Sequence, residues 1–452
     1  MRFHPQELLI EEWIGALPEE HRRVLQHMVG CSDCRIRLQV LLQPRRRSVV
    51  VARLARVLQW CPREADYAAI LHRCVRRRDR QWLSLDKERA EAKGLYAELE
   101  SHPPERQRVI LENNERFQTW GLLELLVQRG VEESARNPAQ GEQLATLALH
   151  LAVHLDGDLY GAELIEDLSA RAWGAIGNAR RIKFDFKGAE AAFEKAFDHL
   201  EDGTGDILER GILLDFQASL YRAERRFEEA LKLLRRAVSI FREIGDSHRA
   251  GRSLINLSSV HEQQGVPEMA IPVLYEALEL IDPTAEPQLL LCAWHNLMTD
   301  LAEVGRCMEA QGLFAKARPL YRQFPDPGTK SRESWVKGKI SRGLGQYLEA
   351  EAYLLSARDG FLAVDAPYDA ALVSLEVASL YAEQGRVAEL KRISEEMLPI
   401  FSSRQIHREA LAGLAYLRQA VAAEKASIEV VRQVAGYLKR AQSDPGLRFE
   451  QT

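Results

Sequence analysis

Apolar residues recur along most of this chain at spacings of three and four, the signature of amphipathic helices, and the pattern repeats about every forty residues. Gly265, Gly305, Gly345 and Gly385 stand at even intervals. Five residues after each of the first three comes an alanine, followed by a large apolar residue four on and a second alanine seven on. The sets are Ala270/Leu274/Ala277, Ala310/Phe314/Ala317 and Ala350/Leu354/Ala357, with earlier copies at Ala189/Phe193/Ala196 and Ala230/Leu234/Ala237. Sixteen residues before the leading alanines stand Trp173, Leu214, Leu254 and Trp294, with Ser334 as the exception. A fixed period of this length predicts stacked two-helix units from about Ala170 to Leu398. The alanines belong where two antiparallel helices cross closely. The glycines end the first helix of each unit through a left-handed turn.

This pattern resembles the tetratricopeptide repeat. Trp173, Gly177, Ala189, Phe193 and Ala196 fall on that family's signature positions, while Arg180 stands where an aromatic is usual. The copies are forty residues long rather than thirty-four, so each unit has longer helices or a longer connection, as in "REIGDSHRA". The expected fold is all-α: a right-handed α-solenoid of about six to seven hairpins over residues 167–403. A degenerate leading pair at 119–166 precedes it, and capping helices with a tail occupy 404–452. Residues 44–118 read as a basic helical connector.

The first 43 residues form a unit of their own, a helical hairpin with the spacing His27-x3-Cys31-x2-Cys34. An imidazole at the end of one helix and two thiolates at the start of the next suit zinc, which takes four ligands in a tetrahedron. His4 is the candidate fourth ligand and His21 the reserve; the alternative is a histidine and two small apolar cysteines packed in the hairpin. The stretch "LLIEEWIGALPEEHRRVLQHMVGCSDCRIRL" also resembles the zinc-binding anti-sigma domain of bacteria. That resemblance implies a sigma factor as partner. Members often continue into a membrane helix, and this chain shows none.

Composition narrows the rest. A net charge of −5 and a pI near 6.2 give no global attraction to nucleic acid or membrane. Residues 1–30 carry Glu7, Glu11, Glu12, Glu19 and Glu20 and no uninterrupted apolar core, so a cytoplasmic location is expected. Residues 45–80 are rich in arginine, opposed only by Glu64, Asp66 and Asp79. Helical spacing puts most of these charges on solvated faces. A nucleic-acid surface is the alternative, but it lacks aromatics interleaved to stack on bases.

In arrays of this type the first helix of each unit lines the binding surface. Carrying the register across gives Arg171, Asn178, Arg181, Arg222, Arg252, Asn256, His295, Asn296, Trp335, Lys339 and Arg342 as groove residues. Asn256 and Asn296 hold equivalent positions, where a side-chain amide could both donate to and accept from a peptide backbone. The arginines would then favour acidic segments; alternatively the asparagines bond to neighbouring helices and the arginines are solvated. No phosphate loop, nucleophile motif or His-Glu-x-x-His is present. The expected function is a non-enzymatic regulatory adaptor that binds protein segments. The alternative is a plain assembly scaffold in which zinc is purely structural.

Overall fold

The computed structural model describes residues 85–403, 414–415, 417–418, 421, 428–441 and 449. The zinc-site residues His4, His27, Cys31 and Cys34, with reserve His21, lie outside the described residues, as does the arginine-rich stretch 45–80. Among the described residues the fold is all-α, without a strand. Two leading helices are α1 (85–100) and α2 (Pro104–Asn113). They are followed by the pair α3 (Trp120–Ser134) and α4 (Pro138–Ala152) and by one turn, α5 (Gly157–Tyr160). Six hairpins come next: α6 (Ala162–Ile182) with α7 (Phe186–Asp202), α8 (Ile207–Ala223) with α9 (Phe227–Glu243), and α10 (Ser247–Gln264) with α11 (Pro267–Leu280). Then come α12 (Pro287–Glu303) with α13 (Cys307–Gln323), α14 (Pro327–Gly343) with α15 (Tyr347–Ala363), and α16 (Pro367–Glu383) with α17 (Val387–Ser403). The last described helix is α18 (Ile428–Ala441). None of these helices is long and apolar enough to cross a membrane.

The described residues fall into two units, one with the residues up to 176 together with 194–209, the other with 177–193 and the described residues from 210 on. In the first, α3 and α4 pack at a glycine crossing. A Cβ on Gly141 would meet the Gly130 carbonyl oxygen at 2.6 Å, so only glycine permits this approach.

The second unit shows why the repeat has forty residues. Helices α12 to α16 are each 17 residues long, joined mostly by three-residue turns. The extra length is in the helices. "REIGDSHRA" is no long connection, because only Ile244, Gly245 and Asp246 separate α9 from α10. Gly265, Gly305, Gly345 and Gly385 all take left-handed φ between 66° and 81°. At Gly305 this lets the Arg306 N–H reach back to Leu301 O at 2.7 Å, closing the helix end. One repeat before Gly265, Arg225 (φ 62°) takes the same turn, and before it Phe184 (φ 61°). The paired alanines from Ala230/Ala237 to Ala350/Ala357 are fully buried in the helix crossings. Phe314 is only partly buried; the neighbouring Leu313 fills the core in its place.

Candidate functional site

The first helices of the second unit bring several of the predicted groove residues together. They do so mainly by pairing them with carboxylates one repeat away. Asp215 on α8 is buried and accepts from Ser253 Oγ at 2.7 Å and Asn256 Nδ2 at 3.0 Å, both on α10. Burial pushes the Asp215 carboxyl up, against these two donors and the nearby Arg252 and Arg222. Asn256 is therefore occupied. Asn296, its equivalent on α12, makes no hydrogen bond among the described residues.

Lys339 on α14 is the centre of the charge network. Its ammonium is buried, 2.8 Å from Glu303 on α12 and 3.1 Å from Glu376 on α16. Burial works against the ammonium, but the two carboxylates outweigh it and raise its pKa. Lys439 on α18 reaches the same Glu303 at 3.0 Å. Burial alone would raise the Glu303 carboxyl; Lys339 and Lys439 bring it down to about 2. Arg342 spans Glu376 at 3.4 Å and Glu383, donating from Nε to the latter at 3.0 Å. Arg252 pairs with Glu286 at the start of α12.

Three predicted residues serve other ends. His295 Nδ1 lies 2.8 Å from Tyr321 Oη on α13, so the imidazole is used inside its own hairpin. Burial, helped by Arg332 and Lys339, lowers its pKa to about 4 and keeps it neutral at physiological pH. Trp335 packs edge-on against Phe361 of its own hairpin, with ring centroids 5.7 Å apart. In the first unit, Arg171 closes a two-pronged ion pair with the buried Glu209, one arm being Nε to Oε2 at 3.0 Å. Arg180, which stands where an aromatic is usual, donates to the Gly188 carbonyl oxygen at 3.2 Å.

At the start of the second unit the Asn178 amide oxygen accepts twice from Arg181, at 2.9 and 3.2 Å. Burial and the neighbouring Arg222 lower Arg181 to about 10. Arg222 is itself held down by burial, and Glu262 and Asp215 only partly offset this. Among the described residues its guanidinium has no hydrogen-bond partner.

The acidic members of the face, Asp215, Glu262, Asp300, Glu303, Glu376 and Glu383, were absent from the predicted set. A usable signal was present: the bonded pairs Glu303–Lys339, Asp215–Asn256 and Arg342–Glu383 lie 36, 41 and 41 residues apart, about one repeat. Glu262 and Asp300 differ from the others. Buried Oε1 of Glu262 and Oδ2 of Asp300 find no hydrogen-bond partner, nor does Trp335 Nε1.

Residues 209–282 match the tetratricopeptide repeat family. No curated protein matches the sequence. Among solved structures, the chain is similar to a Rap protein complexed with competence and sporulation factor, at 12% identity and a TM-score of 0.53 over 71% of this chain and 87% of that one. It is also similar to aspartyl phosphate phosphatase F from Bacillus subtilis, at 14% identity and a TM-score of 0.51 over 68% and 77%. A third similar structure is the apo form of RapI, at 12% identity and 0.50 over 70% and 86%. At such identities the likeness is one of fold.

Proposed function

We propose that this chain is a non-enzymatic regulatory scaffold that holds an extended segment of a partner protein along the first helices α8 to α14. The observation that carries this reading is the set of unsatisfied polar groups on that face. One buried oxygen each of Glu262 and Asp300, and the Trp335 Nε1, lack partners among the described residues. Buried polar groups without partners are costly, and an extended backbone with its side chains would satisfy them. The Rap protein of similar fold is itself complexed with competence and sporulation factor, which supports a binding use for this fold.

The experiment selects binders to the full chain from a displayed library of random peptides. Asn296→Trp is expected to weaken the selected peptides at least about tenfold, because the indole fills the face they need. Met308→Trp, on the exposed side of α13 at 71% exposure, is expected to leave them unchanged. Equal effects would reject the face as the binding surface.

The zinc site at His4, His27, Cys31 and Cys34, and a sigma factor as the regulated partner, belong to the same proposal and rest on the sequence. The full chain is expected to purify with about one zinc ion and Cys31→Ser/Cys34→Ser without it. Metal-free wild type would remove this part of the proposal and leave the scaffold reading intact.

A further inference from the structure

The pairing on the first-helix face reverses the expected chemistry of the bound segment. Arg252, Lys339 and Arg342 are already neutralised by Glu286, Glu303, Glu376 and Glu383, so the face does not present a row of free cations. What it leaves without hydrogen bonds includes two carboxyl groups. Asp300 on α12 is 2% exposed, and its Oδ2 has no partner. Glu262, in the last turn of α10, offers a buried Oε1 that is equally unmatched. Glu262 lies close enough to Asp300 to raise its carboxyl through like charge.

We propose that Glu262 and Asp300 form the seat for one cationic side chain, a lysine or arginine, of the segment held along the first helices. This rests on the segment-binding reading above and specifies its ligand. A cation relieves the repulsion between two carboxylates and supplies charge-assisted donors to both unmatched oxygens. A backbone N–H would satisfy one oxygen and leave the repulsion. Among the described residues, the two nearby lysines are committed elsewhere. Lys339 and Lys439 bond Glu303, and Lys339 also bonds Glu376. Arg222 on α8 faces Glu262 electrostatically but makes no hydrogen bond to it.

Protonation sets a second signature. Burial first, then Glu303, raises the Glu262 carboxyl, against Arg222, Lys439 and Lys339; burial first, then Glu262 and Glu303, raises Asp300, against the two lysines. Without a ligand the pair retains protons well above the ordinary carboxylate range. A bound cation must displace them, so its affinity rises as pH rises.

The test uses the full chain and a peptide selected from the random library. Wild type is expected to enrich peptides with lysine or arginine at one recurring position. Norleucine at that position should then weaken binding at least about tenfold. Glu262→Gln/Asp300→Asn, nearly isosteric with the protonated pair, should fold normally and bind the lysine and norleucine peptides equally. In wild type only the lysine peptide should tighten between about pH 6 and about pH 9. The proposal is overturned if wild type does not discriminate between the two peptides, or if the double variant still does. Selected peptides insensitive to Asn296→Trp would instead overturn the reading on which it rests.

Discussion

Lys339→Met is expected to destabilise the second unit by about 3 kcal/mol. Removing one partner of a buried ion pair costs about 3–5 kcal/mol because the other charge is left unmatched. Here the loss should fall at the lower end, since Lys439 still holds Glu303 and Arg342 still holds Glu376. Methionine keeps the length and fills the space, so packing contributes little to the difference. Denaturant unfolding of the full chain checks the value. Repeat arrays can lose all-or-none behaviour, so the transition that shifts should be assigned by a second probe. Adding Glu303→Gln and Glu376→Gln to the variant is expected to restore much of the loss, because no unpaired charge then remains buried. A loss below about 1 kcal/mol would mean that the network is solvated and worth no more than surface pairs.

Phe193→Ala is expected to cost about 3–5 kcal/mol, the usual range for emptying an aromatic site in a core. Phe193 is fully buried and packs with Ala189 and Leu220. Its ring also lies against Gly177, where a Cβ would come within 2.9 Å of ring carbons. The two positions are therefore coupled. Gly177→Ala should destabilise the native chain and be nearly neutral once Phe193→Ala has removed the ring. Melting curves of the four proteins give the coupling directly. Additive losses would show that Gly177 matters for some reason other than the ring.

The fold was largely legible in the sequence because its constraints are local. Gly265, Gly305, Gly345 and Gly385 mark turns that need positive φ, and the alanines mark crossings that admit nothing larger. The same turn at Arg225 and Phe184 carried no marker, since those residues take the left-handed conformation without being glycine. The forty-residue period likewise left open whether helices or connections were long; the hydrogen-bonded turn at Gly245 closes after three residues and assigns the length to the helices.

The polar residues of the first helices were legible in the sequence; the partners that satisfy them were not. Register assigns Asn256, Lys339 and Arg342 to the first helices, where each bonds a carboxylate about one repeat away. Their charge state depends on Asp215, Glu303, Glu376 and Glu383, which arrive from neighbouring repeats and have no short-range motif. His295 was assigned to the groove because its position is equivalent to others there, but Tyr321 on the second helix captures it. The unmatched oxygens of Glu262 and Asp300 are a property of packing, and no spacing rule foreshadows them.

The most direct measurement maps a selected peptide by photo-crosslinking. A benzophenone is placed along the peptide and crosslinked residues are identified in the full chain. The account predicts crosslinks confined to the first helices α8, α10, α12 and α14, with the peptide's lysine or arginine nearest Glu262 and Asp300. Crosslinks on the second helices α9, α11, α13 and α15 would contradict it.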